Sequence, residues 1–525
     1  MPKYSCFINI FARLSVAKYP EKKERQLMYR TRRFDIKPGH PLEDYCRTLC
    51  SLSNNLYNAA IFRQRQMLTA RGKDEGLLTE NEREVLGEVR ETLAFLGKDP
   101  AELPGRMPYS FLEKLMRVTS NPDFFAPGLP RQSAQHVLRT AVQAMDSFFA
   151  AIRAWKKNPA AFTGRPELPG YRHKGGLCTT IITNQDGVLY EESDGSRAFL
   201  KLPLTKMRLS YGPPVPGFRL KNITICPANG IFTVCVVTES ETPAPEISGK
   251  TARIAAVDFG VNNFMAVTNN VGAPCLLYKG GAIKSVNRMY NKTIARIVSG
   301  QTAGGTAKFV PTPEYHEVVR KRNHRIHDFM LKAGAHLMRW CVEQRIDTIV
   351  LGKNGGWKQG VAFDARNAQN FVQIPYTDIC RILIYLGERN GIRVQMQEES
   401  YTSQASFRDS DVIPTYGGDN ARAGFSGKRG PTEYHGARRP QGFRGLYQCA
   451  DGTFVNSDLN GSANIGRKAF PELFNSEHAP DFEHVVIIRH PEQQAREKNR
   501  KEQRKEGYKI SRSRQRRMRL KRKAA

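Results

Sequence analysis

Apolar residues recur at three- and four-residue spacing at Leu42, Cys46, Leu49, Leu52 and Leu56, the stripe of a helix with one buried face. The same period returns at Val85, Leu86, Val89, Leu93 and Leu96, predicting a helix over 80–96. It returns again at Ala134, Val137, Leu138, Ala141, Met145, Phe148, Phe149 and Ile152, predicting a helix over 131–155. Each stripe reads as core rather than as a site. Ahead of them, residues 28–36 read as a strand that stops at Pro38-Gly39. Past Asn158-Pro159 and the basic, breaker-rich stretch 165–174, the pattern turns to short runs bounded by turn residues, at 179–183, 199–204, 218–225 and 231–238. The last two flank Asn229-Gly230, a hairpin turn. The helices of 41–157 are therefore expected as an insertion between the strand at 28–36 and this β region, with Thr242–Glu246 as a linker.

Beyond the linker, the apolar run Ile254–Val257 leads straight into Asp258, and a second run, Phe264–Val267, follows across Gly260 and Asn262-Asn263. This predicts a buried central strand, a tight turn and a second strand, with a carboxylate near the end of the first. Burial there is costly unless the acid is paired or binds a metal. Ribonuclease-H-like nucleases begin with this pattern, which directs the search to acids further along. Residues 284–345 read as helical, with Ile326, Phe329, Ala333, Leu337 and Cys341 on the buried side. Arg320, Lys321, Arg322, Arg325 and Lys332 sit mostly elsewhere, and the first four are candidate nucleic-acid contacts. A buried strand at 346–352 leaves through an exit loop, 354–359, where Trp357 and Lys358 are further candidates. A helix over 375–389 precedes a third central strand, 392–397, which ends in Glu398-Glu399. Asp458 stands at or near the start of a final helix. Asp258, an acid near 399 and Asp458 thus stand in order, each at the end of a separate element.

Composition narrows the partner. Lys and Arg outnumber Asp and Glu 81 to 50 in 525 residues, a formal charge of +31, so a polyanion is expected and nucleic acid above all. A chain of this length predicts several domains. No apolar run is long enough to span a membrane. The ten cysteines include no C-x-x-C pair, which points away from a disulfide scaffold or zinc ribbon and fits a reducing cytoplasm. Arg13 interrupts the weak apolar run of 6–17, so no secretion signal is expected, and Met28 reads as a second plausible start that makes 1–27 an extension. The stretch 405–447 mixes bases (Arg408, Arg422, Lys428, Arg429, Arg438, Arg439, Arg444) with Tyr416, Phe425, Tyr434 and Phe443, which suits a single nucleic-acid strand. The basic segment 476–525 is expected to be disordered.

The stretches VDFGVNNFMAVTN, IVLGKNGGWKQ, EESYTSQASF and NSDLNGSANIGRKAF resemble the TnpB family, RNA-guided nucleases encoded by insertion sequences and related to type V CRISPR effectors. SNNLYNAAIFRQRQ, LPRQSAQHVLRTAVQAMDSFF and KNPAAFTGRPELPGYRHK extend the resemblance over about residues 28–470. It implies a multidomain α+β chain. The strands of 28–40 and 158–245 would form a β-barrel wedge domain, the helices of 41–157 an inserted recognition domain, and 246–404 with 448–475 a RuvC-like, ribonuclease-H-like α/β nuclease domain; 405–447 would be a target-loading loop. It also implies a guide RNA, a double-stranded DNA target chosen by guide pairing beside a short flanking motif, and cleavage assisted by two Mg²⁺ ions on Asp258, an acid of the 398–399 pair and Asp458.

Two departures qualify this. The family's usual middle glutamate follows the strand before the Trp-Lys-Gln loop, where this chain has Gly352. Some relatives place the acid in the E-x-Y-T-S segment instead. Glu399 has their spacing from Tyr401-Thr-Ser and is favoured; Glu398 is the alternative. The zinc knuckle of many relatives is reduced here to Cys449, too few ligands for a structural zinc, so none is expected. The same motifs leave open a CRISPR-associated type V effector and a nuclease-dead, RNA-guided DNA-binding repressor. The oligomeric state is not legible.

Overall fold

The computed structural model describes residues 27–247, 251–303, 308–353, 373–415 and 424–489. Trp357, Lys358, Tyr416, Arg422, the extension before residue 27 and the segment after 489 lie outside them. The chain divides into two compact units, Met1–Pro243 and Ala244–Ala525.

In the first unit, strand β1 (Leu27–Ile36) is followed by helices α1 (Glu43–Ala70), α2 (Glu80–Phe95), α3 (Tyr109–Val118) and α4 (Arg131–Lys157). Strands β2 (Thr180–Thr183), β3 (Val188–Glu191), β4 (Ala198–Lys201), β5 (Arg208–Gly212), β6 (Phe218–Ala228) and β7 (Ile231–Pro243) come after them. β1 pairs with β7 along its length, so the four helices lie in the chain between strands of one sheet, of order β1-β7-β6-β2. β3, β4 and β5 form a second sheet. Asn229 and Gly230 both have positive φ (51° and 72°), the backbone that the β6–β7 hairpin requires. A capping box starts α2: Thr79 Oγ1 accepts from Glu82 N, and Glu82 Oε2 accepts from Thr79 N. α1 outruns the sequence expectation by more than a turn. α3, whose Phe111, Leu112, Leu115 and Met116 are buried, was not anticipated, because ten residues give too short a stripe.

The second unit is built on strands β8 (Ile254–Asp258), β9 (Asn263–Asn269) and β10 (Pro274–Lys279). Helices α5 (Gly281–Thr302) and α6 (Pro313–Glu343), strand β11 (Thr348–Gly352), helix α7 (Tyr376–Asn390) and strand β12 (Arg393–Gln397) follow. Short strands β13 (Lys428–Arg429), β14 (Glu433–Tyr434), β15 (Ala437–Arg438), β16 (Leu446–Gln448) and β17 (Phe454–Asn456) precede helix α8 (Ser457–Ala469) and strand β18 (Asp481–Ile488). Six strands form one sheet in the order β12-β11-β8-β9-β10-β18. β8, β9 and β10 run antiparallel to their neighbours within that trio, whereas β11 and β12 extend the sheet in parallel from β8.

Two expectations are corrected. Among the described residues, the strand 392–397 is an edge strand, not a central one, since only β11 flanks it there. Residues 481–488, assigned to a disordered tail, pair in parallel with β10, because the run Val485–Ile488 supplies a strand within an otherwise polar stretch.

Side-chain alternation along β8 decides where Asp258 goes. Ala255 and Val257 pack in the core shared with α6 and α7, whereas Ile254 and Ala256 pack with Ala463 and Ile465 of α8. Asp258 is next in the second series and so falls on the α8 side. β11 alternates alike: Ile349 and Leu351 face one way, Val350 faces α8, and Gly352 follows it there. Ile254, Val257, Ile349 and Leu351 are fully buried, each contributing about 1.5–3 kcal/mol. That anchorage lets the strand ends carry groups that repel one another. Among the described residues, no helix is long and apolar enough to cross a membrane.

Candidate nuclease centre

Asp258 is half-buried at the end of β8. Burial first, then the charges of Asp458 and Glu399, push its carboxyl well above the usual range, against a smaller lowering by Arg429. Tyr376, whose hydroxyl donates to Gly260 O at 2.9 Å, is raised by burial and then by the same Asp258, Glu399 and Asp458. Three carboxylates from three elements therefore meet within electrostatic reach at one end of the sheet.

Two glycines make the room. A Cβ on Gly461 of α8 would lie 2.9 Å from Asp258 Oδ2. A Cβ on Gly352 would lie 2.8 Å from Glu399 Oε2 and 2.3 Å from Ile465 Cδ1. The space a side chain at 352 would take is thus occupied by the carboxylate of Glu399, delivered from the end of the neighbouring edge strand. Glu398 turns elsewhere. It pairs with Lys468 and accepts from Ser400 N at 2.7 Å. Burial would raise its carboxyl, but the hydrogen bonds from Lys468 and Ser400 outweigh this and hold it below the usual range. Thr402 Oγ1 donates to Glu399 O at 2.8 Å, and Asn464 Nδ2 donates to Thr402 O at 2.9 Å, so α8 anchors the turn that carries Glu399.

Asp458 occupies the first turn of α8, which Asn456 caps by accepting from the backbone N–H groups of Asp458 and Leu459. Its Oδ2 accepts from Asn263 Nδ2 at 2.7 Å, and its Oδ1 lies 3.3 Å from Arg429 Nη2. Lys279 Nζ donates to Asn263 Oδ1 at 2.7 Å. Asn263 and Lys279 were absent from the sequence-based site. The double asparagine read only as turn chemistry, and nothing local marks Lys279. Arg429 was one base among many in its loop.

In kind, the donor set fits a hard divalent cation: carboxylate oxygens crowded together, with burial already opposing their charge. Among the described residues, however, no group of three or more His, Cys, Asp or Glu side chains stands in a ready-made metal cage. Asp458 meets Asn263 through Oδ2 and Arg429 through Oδ1.

The remaining predicted contacts are dispersed. Arg322 is half-buried, with Nε donating to Asn287 Oδ1 at 2.9 Å and its guanidinium over Tyr290. Lys321 pairs with Glu317 and Arg325 is exposed, while Arg320 is half-buried. Arg408 reaches Asp451 at 4.0 Å, Arg438 pairs with Glu433 at 3.2 Å, and Arg439 lies over Phe443; with Arg444 they are exposed.

Where relatives carry a zinc knuckle, carboxylates tie the two arms together. Asp409 Oδ2 accepts from Ser406 Oγ at 2.6 Å and from Ala450 N at 2.9 Å. Asp411 Oδ2 accepts from Ser406 N at 2.7 Å and from Ser426 N at 3.1 Å. Cys449 is buried, and burial raises its thiol. Asp409→Ala is expected to lose about 1–3 kcal/mol by orphaning these donors. A zinc chelator should leave the wild-type melting temperature unchanged, both read by thermal denaturation.

Residues 234–358 match the model of a family described as a probable transposase. The chain is 25% identical over 238 residues to TnpB-like protein ORF457 of Acidianus two-tailed virus, a match that covers 43% of this chain and 44% of that one. The chain thus spans less than half the length of that curated relative. Similar solved structures include a Cas12f1-sgRNA-target DNA complex, at TM-score 0.45 and 9% identity over 81% of this chain and 82% of that one. Another is the mini RNA-guided endonuclease CRISPR-Cas_phi3, at TM-score 0.40 and 9% identity over 85% and 92%. The family match takes in Asp258 and Gly352 but stops short of Glu399 and Asp458, which rest on their own motifs and on the geometry above. By sequence, the chain is similar to a TnpB-like protein, and residues 234–358, which include Asp258, match the probable-transposase family.

Proposed function

We propose that the chain is an RNA-guided DNA endonuclease of the TnpB type, with Asp258, Glu399 and Asp458 as its single phosphodiester-cleaving centre. The observation that carries this reading is the Glu399 carboxylate set into the space over Gly352, within electrostatic reach of Asp258. An antiparallel trio of strands, extended in parallel by β11 and β12 on one side and by β18 on the other, supports a RuvC-like, ribonuclease-H-like domain formed by 246–404 and 448–475 with β18 added to its sheet. The sheets of the first unit and the helices between β1 and β2 support a wedge domain (28–40 and 158–245) with an inserted recognition domain (41–157). The 81 bases against 50 acids support guide RNA and double-stranded DNA as partners; a nuclease acting on them would work in the cytoplasm.

Asp258, Glu399 and Asp458 would hold two Mg²⁺ ions, which when bound activate a water and stabilise the leaving oxygen of the cleaved phosphodiester. The chain's own residues do the rest. α8 and the glycines at 352 and 461 bring the carboxylates together, and Arg429 offers a guanidinium suited to a phosphate beside Asp458. The bases of 405–447 steer a single strand toward the centre. Guide pairing selects the sequence, while the protein reads heteroduplex shape and a short flanking motif.

The test is to express the gene with its flanking DNA, sequence the RNA that copurifies, and offer matching plasmids carrying randomised flanks in Mg²⁺. Wild type should linearise a subset sharing one flank. Asp258→Ala and Asp458→Ala should bind that subset in a gel shift without cutting it. Guided binding by wild type with no cleavage would favour the repressor reading, and repeat-spacer RNA would favour a CRISPR-derived effector. Cleavage by Asp258→Ala at wild-type speed would remove the centre described here.

A further inference from the structure

Asp458 meets a neutral partner with a cation behind it. Asn263 Nδ2 donates to Asp458 Oδ2, and Lys279 Nζ donates to Asn263 Oδ1, both at 2.7 Å. A lysine ammonium only donates, so it can meet only the amide oxygen of Asn263. The amide nitrogen is thereby committed to Asp458, and the asparagine cannot flip.

The backbone fixes the pair in turn. Asn263 and Lys279 are opposite residues in the β9–β10 register. Gly280 N donates to Asn262 O at 2.8 Å, and a Cβ on Gly280 would lie 2.2 Å from Val261 O, so the end of β10 is held tightly against the hairpin. Asn263 is 5% exposed, which leaves water little access to the contact. The relay ends on Asp458.

We propose that Asn263, locked by Lys279, is a positioning residue that sets the rotation of the Asp458 carboxylate and so readies it as a metal donor. The proposal rests on the reading of Asp458 as a ligand. Loss of an outer partner of a metal ligand typically costs about 10–100-fold in metal affinity or activity.

The experiment uses the full chain with its copurified RNA and compares wild type, Asp458→Ala, Asn263→Ala, Asn263→Asp, Lys279→Met and Lys279→Arg. Three quantities are read: Mn²⁺ binding by electron paramagnetic resonance, the Mg²⁺ concentration for half-maximal cleavage, and guided DNA affinity in Ca²⁺. Asn263→Ala should weaken Mn²⁺ binding and raise the Mg²⁺ requirement by about 10–100-fold, with DNA affinity unchanged. Asn263→Asp should be at least as impaired, although it keeps the shape and the Lys279 partner, because it turns a carboxylate oxygen toward Asp458. A space-filling role would make it the milder variant. Lys279→Met should be impaired and Lys279→Arg largely restored, which keeps the test open if a variant at 263 fails to fold. Wild-type Mn²⁺ binding in both Asn263→Ala and Lys279→Met, with Asp458→Ala inactive, overturns this proposal alone. Wild-type cleavage by Asp458→Ala overturns the reading beneath it.

Discussion

Glu399→Gln is expected to lose target cleavage by at least about 10²-fold, the cost of removing one group that stabilises charge in the transition state. Glu398→Gln is expected to cut within a few-fold of wild type, and guided DNA binding should survive both changes. The two acids are adjacent, so their opposite directions at the end of β12 separate them cleanly. Glu399 lies over Gly352 and raises the carboxyl of Asp258 by its charge. Glu398 is held by Lys468 and Ser400 and ties the segment to α8. The glutamine keeps volume and hydrogen-bonding shape at either position and removes only the charge. Glu398→Gln should therefore register mainly as a loss of thermal stability, because the largely buried Lys468 loses its counter-charge while keeping Ser400 O and Pro414 O as acceptors. Single-turnover cleavage of a matched plasmid, beside a gel shift at fixed salt, reads both. The reverse ranking would move the third ligand to Glu398.

Asp258 was legible in the sequence because β8 and its neighbour β11 are buried on both faces. Such strands read as unbroken apolar runs, so the charge at Asp258 stood out against Ile254–Val257. Asp458 was found for a similar reason, on a helix whose start is marked by Asn456. Glu399 came from motif spacing, and its partner space at Gly352 read only as a missing acid. A glycine's use as room for another strand's side chain depends on pairing between β11 and β12, which no local pattern encodes. Asn263 and Asp458 are 195 residues apart, and Arg429 and Asp458 29 apart, so these contacts arise only once the hairpin and the loop pack against α8. The edge position of β12 and the strand Asp481–Ile488 were missed because both depend on the order in which strands join the sheet.

Gly352→Ala is expected to disable cleavage nearly as fully as loss of Glu399, although it removes no functional group. The new methyl would stand 2.8 Å from Glu399 Oε2, 2.3 Å from Ile465 Cδ1 and 3.1 Å from Ile465 Cγ1. Relief must come from one side or the other. Ile465 is fully buried in the core between the sheet and α8, which resists movement because interiors are close-packed. The carboxylate of Glu399 ends a longer, more flexible side chain and yields first, leaving Asp258 and Asp458 with a displaced partner. Overpacking of this kind costs about 1–3 kcal/mol, so the melting temperature should fall by several degrees while the fold persists. Glu399→Gln, by contrast, should melt at or above the wild-type temperature in EDTA, since it removes one of the charges that oppose Asp258. Cleavage rate and thermal denaturation of the two variants together therefore distinguish a displaced carboxylate from a missing one. An active Gly352→Ala enzyme of wild-type stability would show that the carboxylate of Glu399 works from somewhere other than the space over Gly352.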